Sequence, residues 1–416
     1  MNKKVAFYHN AFPYGGGERI TIDIANYIYD KGYEVYVITS NLNPHTSNHI
    51  KAVEVTKQIP HTEQNTTNFI IQFIKENHID IFITLELNTQ FLYEVKKRTQ
   101  CKIIYALHNV PLWEAIDRYY KRKEKSRHSI WKSLKWYTLT NLDYHLFKKC
   151  DKKYIAIYKQ MYQNVDALTV LCDAYKKQLA TYFEDDKRIH VITNPEYPRL
   201  NPNLDKKKQI IYSGRLLYSH KRVDRLLTIW KKIYEKIPDW ELVIVGDGPE
   251  RNNLERLAKK WDLERIYFIG YTPHVDNYYK DASILCLTST FEGWPLCLTE
   301  AQANGVIPIS FNCCAGIEAI LGPNKVNGIL VPDGDINAFA KELIELINNP
   351  QLMEEIRKNV LKKVLTYSPE LVGEKWLNLF NTLLAYIIHS GFISGYQNRY
   401  GDNLKPPTNV YHRMTA

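Results

Sequence analysis

The chain has 416 residues, 45% of them hydrophobic and 24% charged, with a formal net charge of +10. That length suits two domains of ordinary size, and the composition excludes a disordered or low-complexity chain. No run of 18 apolar residues occurs, so no membrane-spanning helix is expected; the best candidate, 383–393, is short and contains His389 and Ser390.

Residues 1–10 carry two lysines and then a short apolar run. The run ends too soon for a secretory leader, so a buried first strand over 5–8 is expected. The turn Pro13-Tyr14-Gly15-Gly16-Gly17 follows, and Ile20, Ile24, Tyr27 and Ile28 then recur at helical spacing until Gly32. Apolar or β-branched runs predict strands over 33–40, 81–85 and 103–107, with a helix over 91–98. Residues 113–163 break this rhythm. They are basic and aromatic, and predict one or two long helices inserted into the first half. Strands over 167–172 and 190–193, with a helix between, resume the pattern. Pro195, Pro198 and Pro202 lie in a polar stretch ending at Asp205-Lys206-Lys207-Lys208, the expected interdomain linker.

The second half predicts strands over 210–213, 242–245, 266–270, 283–287, 306–310 and 328–331, with helices between them and a helical end over 350–390. A polar tail, 391–416, is expected to be loosely held. Alternation of strand and helix implies an α/β fold with two Rossmann-like, doubly wound parallel sheets facing a central cleft. The expected division is 1–200, 201–372 and a 373–416 element that crosses back to the first domain. Trp376, Phe380, Leu383, Leu384 and Ile387 form the apolar stripe for that packing. Seven scattered cysteines without a CxxC pair suggest reduced thiols in a cytosolic protein.

The segment from Ser289 to Ala301 carries the sharpest chemistry. It follows a buried strand and opens a helix, so the amides of Gly293, Trp294 and Leu296 are expected as helix-terminal donors, with Pro295 in the first turn. Glu292 lies in the loop and Glu300 eight residues on. Both carboxylates can face the crevice at the strand ends, where open α/β sheets bind ligands; taken alone, such a pair is more often a pair of exposed surface carboxylates.

The Glu-x7-Glu pattern resembles that of the family 4 glycosyltransferases, a retaining group with the GT-B fold. Further matches fall in order: Gly15-Gly16-Gly17, His108-Asn109, 191–195, Gly214-Arg215, Lys221 before 223–227, 243–249 including Gly246, 268–271 including Tyr271, and 327–331. The resemblance is weakest over 117–163 and after Gly391. It implies transfer of a sugar from a nucleotide-diphosphate sugar to a saccharide or lipid-linked saccharide. In that reading Arg215 and Lys221 hold the diphosphate, Tyr271 flanks the base and Glu300 holds the ribose. Glu292 and His108 then lie at the transferred sugar, and Gly16 and Gly17 let backbone approach the ligand. Fixed cations suit a leaving group that gains negative charge. No metal or other cofactor is implied: Asp333-Gly334-Asp335 resembles the carboxylate pair of metal-dependent transferases, but turn and helix-cap duty explains it better. A nucleotide-sugar 2-epimerase of the same fold and a non-catalytic sugar-nucleotide-binding subunit are the alternatives.

Residues 118–153 hold twelve Lys/Arg and three Asp/Glu. Cations mixed with Tyr119, Tyr120, Trp131, Trp136 and Tyr137 suit an anionic membrane surface; a solvated helix with its tryptophans turned inward is the other reading. No nucleic-acid-binding module accompanies the charge. The expected location is cytoplasmic, peripheral on the inner face of the plasma membrane.

Overall fold

The computed structural model describes residues 2–12, 16–42, 54–57, 63–126, 129–140 and 149–400. The first sheet comprises β1 (Lys4–Phe12), β2 (Glu34–Leu42), β3 (Glu54–Lys57), β4 (Ile81–Thr84), β5 (Lys102–Ala106), β6 (Ala167–Val170) and β7 (Ile189–Val191). Its order is β3-β2-β1-β4-β5-β6-β7, with every pair parallel. The helices of this half are α1 (Gly16–Asp30), α2 (Glu63–Glu76), α3 (Thr89–Arg98), α4 (Trp113–Ser126), α5 (Ile130–Lys135), α6 (Lys149–Gln163) and α7 (Asp173–Ala180). The second sheet comprises β8 (Gln209–Ser213), β9 (Glu241–Val245), β10 (Ile266–Gly270), β11 (Ile284–Leu287), β12 (Ile307–Phe311) and β13 (Ile329–Val331). Its order is β10-β9-β8-β11-β12-β13, again all parallel. Helices α8 (Val223–Ile233), α9 (Arg251–Lys260), α10 (Asp276–Asp281), α11 (Leu296–Ala303), α12 (Ala315–Leu321), α13 (Ile336–Ile347) and α14 (Pro350–Val364) flank it, and α15 (Pro369–Tyr400) closes the described chain.

Both sheets are doubly wound, as the sequence predicts. Their inner strands are buried on both faces, which is why Ile284–Leu287 and Ile307–Phe311 consist almost wholly of apolar side chains. Strand order reverses between β1 and β4 in one sheet and between β8 and β11 in the other. The loops at those two reversals meet, and this positions the site.

The structure departs from the sequence reading in three places. The edge strand β3 and helix α2 were not foreseen. Among its described residues the insertion has three helices and a π-helical turn over Trp136–Thr140, where one or two long helices were expected. The helix α15 continues to Tyr400, so the residues just after Gly391 are not tail. The stripe of Trp376, Phe380, Leu383 and Leu384 packs into one core with Val5, Phe7, Ile24 and Ile28, so α15 crosses back onto the first half; the side chain of Ile387 lies outside the described residues. Gly373 makes that crossing close: a Cβ there would lie 2.1 Å from the Tyr27 ring.

Candidate active site

The backbone of the second half shapes one wall. Gly246, after β9, has φ of 136°, and a Cβ on it would lie 1.9 Å from the Gly214 carbonyl oxygen. The turns after β8 and β9 therefore pack backbone on backbone, which only glycine permits. Three adjacent basic residues follow β8, His220, Lys221 and Arg222, and the structure separates their roles; burial pushes the His220 pKa down. Arg222 takes the left-handed conformation (φ 49°) at the N-cap of α8 and pairs with Asp224 at 2.9 Å. His220 Nε2 lies 2.9 Å from Asp117 of α4. Lys221 Nζ donates to Glu292 Oε1 at 2.6 Å.

The loop after β11 is zipped onto this turn. Thr290 N–H donates to the His220 carbonyl at 2.8 Å, and the Thr290 hydroxyl donates to the Ser219 carbonyl at 2.9 Å. Ser289 Oγ donates to Glu292 Oε1 at 2.6 Å, so one carboxylate oxygen receives both a hydroxyl and an ammonium. Burial would lower the Lys221 pKa, but Glu292 outweighs it and the net shift is upward; the ammonium is held charged. Pro295 is the N-cap of α11, one residue before its expected place.

The first half supplies the opposite wall. His108 follows β5, and its Nδ1 lies 2.8 Å from Asn194 Oδ1. With Nδ1–H donating there, Nε2 of the neutral ring is a free acceptor. Burial pushes the His108 pKa down to about 4, with the Asn194 bond opposing weakly, so the ring is neutral at physiological pH. Gly16 and Gly17 open α1; Gly15 lies outside the described residues. A cavity of about 200 Å³ is lined from both halves by Gly16, Gly17, His108, Lys221, Glu292, Gly293, Trp294 and Leu296, among others. At Gly293 the halves pack backbone against backbone, since a Cβ there would lie 2.4 Å from the Asn109 Cα. Tyr175 of α7 ties the same loop, donating to the Gly293 carbonyl at 2.9 Å and accepting from Gly316 N–H at 3.0 Å.

Arg215, Gly246, Tyr271, Pro295 and Glu300 are not among this cavity's lining residues. Arg215 is exposed, and Tyr271 is 81% exposed. Glu300 lies deeper, on α11, where Arg19 of α1 pairs with Oε1 and the Tyr279 hydroxyl donates to Oε2 at 2.9 Å. Trp294 is buried edge-on against Tyr367, with ring centroids 5.3 Å apart. Asp335 caps α13 by accepting from Ala338 N–H at 2.9 Å, the duty its sequence suggests. Among the described residues no cluster of three or more His, Cys, Asp or Glu side chains could hold a metal ion.

The sequence reading missed several participants. Arg19, Ser289 and Asn194 sit within or beside quoted motifs, but their partners are distant in sequence. The inserted helix α4 was not expected at the site, yet Tyr120 stacks on Phe291 (5.5 Å, 18°) and Asp117 bonds His220.

Glu196, 3% exposed, was also missed. Burial, together with Glu300, raises its pKa from 4.5 to about 7, while Arg19 opposes. Thr299 has one hydroxyl proton and two acceptors, Glu196 Oε2 at 3.2 Å and the Leu296 carbonyl at 3.0 Å. A protonated Glu196 can donate to Thr299 and leave that proton for Leu296. The unfolded carboxyl ionises lower, so the folded state binds the extra proton between pH 4.5 and about 7. This group's contribution is thus fully present below 4.5 and is lost as pH rises through 7. Glu196→Gln, whose amide can make the same donation, is expected to stabilise by on the order of 2 kcal/mol at pH 8 and by little at pH 4.5. Equal denaturation midpoints for the two proteins at pH 8 would exclude this account.

Two facing parallel sheets with a site at their cleft define the glycosyltransferase B architecture, and solved structures bear this out. A lipopolysaccharide outer core galactosyltransferase aligns with a TM-score of 0.65 at 20% identity, covering 91% of this chain and 99% of its own. The Anabaena HepE protein in complex with UDP aligns with a TM-score of 0.70 at 16% identity, covering 91% and 100%. Two family models then match end to end: Glycosyltransferase Family 4 over residues 14–195 and Glycosyl transferases group 1 over 194–363. The chain belongs to this family of glycosyltransferases. An uncharacterized glycosyltransferase of Haemophilus influenzae is 29% identical over 378 residues, covering 90% of this chain and 99% of the relative. The poly(ribitol-phosphate) alpha-N-acetylglucosaminyltransferase of Staphylococcus aureus is 28% identical over 241 residues, covering 57% and 47%.

Proposed function

We propose that the protein transfers a sugar from a nucleotide-diphosphate sugar to a saccharide or lipid-linked saccharide, with retention at the anomeric carbon. The observation that carries this is the Lys221–Glu292–Ser289 cluster facing His108 across one cavity. The bond between the anomeric carbon and the diphosphate oxygen breaks while a bond to the acceptor oxygen forms. The acceptor proton leaves with the departing phosphate. Lys221, joined by the exposed Arg215 once the diphosphate is bound, neutralises the charge that grows on the leaving group, so the proposal needs no metal ion. Glu292, fixed by Ser289, orients the sugar and offsets positive charge at its anomeric carbon. His108, neutral and with Nε2 free, accepts from a sugar hydroxyl. Glu300 holds the ribose and Tyr271 flanks the base. Because a structural relative was crystallised with UDP, UDP sugars are the first donors to try. Product analysis with and without a saccharide acceptor tests the reading: a new glycoside supports transfer, whereas an isomerised donor without acceptor overturns it in favour of epimerisation.

The proposal includes docking on an anionic membrane from the cytoplasmic side. No described helix is long and apolar enough to cross a membrane. Within the insertion Trp136 is buried against Tyr119, whereas Ile130, Trp131, Leu134 and Tyr137 are exposed beside Lys132 and Lys135. A cationic element with outward aromatic and aliphatic groups suits a headgroup region. Changing Ile130, Trp131 and Leu134 to Ser is expected to abolish cosedimentation with phosphatidylglycerol vesicles; undiminished cosedimentation refutes docking through α5.

A further inference from the structure

The exposed face of α4 forms one side of a second cavity, about 540 Å³, that no step above uses. Arg118, Lys121, Arg122 and Lys125 line it, with Trp113 and Asp117 at the end nearer the cleft; Glu114, which accepts from the Tyr158 hydroxyl at 3.2 Å, and Tyr154 complete the lining. Trp113 also lines the donor cavity, so the two spaces share a wall. The Asp117–His220 bond, 2.9 Å, lies at the same junction and joins α4 to the turn that carries Lys221.

The charge pattern is specific. Positions 118, 121, 122 and 125 are spaced to share one helix face, where like charges three and four apart repel. Only Lys121 is compensated, by Asp117 at 2.9 Å. Among the described residues Arg118, Arg122 and Lys125 have no carboxylate within ion-pair distance, although Arg–carboxylate and Lys–carboxylate pairs are common elsewhere on the molecule. Two guanidinium forks and an ammonium aimed into one trough match the oxygens of a phosphate ester or diphosphate better than those of a neutral sugar.

We infer that this trough binds a phosphate group of the acceptor, and that the acceptor presents its receiving hydroxyl to the donor cavity past Trp113. The inference rests on the transferase reading above, because only a donor in the adjacent cavity makes the trough an acceptor site. It assigns the acceptor to a chemical class, phosphate-bearing glycans or polyols, and gives α4 a role apart from α5. The trough holds the anion, while α5 carries the exposed apolar groups.

The test uses the full chain and an Arg118→Gln, Arg122→Gln, Lys125→Gln variant. The three side chains are exposed and, among the described residues, none makes a hydrogen bond or ion pair, so the unfolding midpoint is expected to be unchanged. Two probes are titrated: a soluble glycerol-phosphate oligomer, and phosphatidylcholine vesicles containing a polyprenyl diphosphate, with plain phosphatidylcholine vesicles as the blank. At least one probe is expected to bind the wild type and to bind the variant roughly tenfold or more weakly, the loss expected when charge-assisted contacts are removed. Binding of the oligomer supports a polymer acceptor, and binding of the diphosphate vesicles alone supports a lipid-linked one. No binding of either, or equal binding by both proteins, overturns the inference. Nucleoside diphosphate binding is measured in parallel. Its loss in the variant alone means that the trough is part of the donor site and overturns the acceptor assignment. Its absence from both proteins counts against the transferase reading, whatever the phosphate probes do.

Discussion

Lys221→Ala is expected to lower kcat by about 10²- to 10³-fold, with a much smaller change in KM. The argument begins with geometry. Arg222 is committed to Asp224, and His220, which also lines the cavity, is bonded to Asp117, so Lys221 is the member of the triplet that brings a charge into the cavity. Its charge is needed most when the bond to the diphosphate breaks, and an interaction that strengthens only then appears in kcat. Among the described residues, the substitution also leaves the Glu292 carboxylate with Ser289 as its one donor. A Lys221/Glu292 double-mutant cycle separates the two effects, because residues in direct contact couple and distant ones add. If Lys221→Ala loses less than tenfold in kcat while its unfolding midpoint holds, the charge-neutralising role is wrong.

The second large effect concerns Glu300. Wild-type protein with the correct nucleotide class at 100 times its dissociation constant is expected to gain about 2.7 kcal/mol of apparent stability, and Glu300→Ala to gain almost none. Both oxygens of Glu300 are engaged, one by Arg19 and one by the Tyr279 hydroxyl. Each oxygen accepts one bond and keeps a lone pair for a ribose hydroxyl; Arg19, the half-exposed partner, is the one that can yield, whereas Tyr279 is buried. Arg19→Ala is therefore the matched control: it frees one oxygen and is expected to keep the nucleotide shift. A full shift in Glu300→Ala removes Glu300 from the ribose site.

Much of the fold was legible because parallel strands buried on both faces read as short apolar runs, and the glycines that end them mark the turns. β3 escaped because a four-residue edge strand, Glu-Val-Thr-Lys, has little apolar signal and charge at both ends. The segment from Ser289 to Ala301 was legible as an ordered set of motifs, but the couplings around it were not. That Lys221 and not a neighbour reaches Glu292 depends on one left-handed residue at 222, which a run of three basic residues does not reveal. Arg19–Glu300, His108–Asn194 and Tyr120–Phe291 join residues separated by 281, 86 and 171 positions. Such pairs follow from how the two sheets face each other, which no local periodicity encodes. The basic insertion was legible as an anomaly, and its contact with the site was not.

Gly293 bears on how such enzymes can be recombined. Its missing side chain is required by the other half, because the Asn109 backbone fills the space a Cβ would take. The second half thus carries, in its most distinctive loop, an imprint of the first half's main chain. A chimera that joins this second half to a foreign first half must reproduce the path of residues 108–109 and a hydroxyl at the position of Tyr175, or the loop loses its footing. If α4 holds the acceptor as inferred above, exchanging only its exposed residues while keeping Asp117 and Tyr120 changes acceptor choice and leaves the seam between the halves intact.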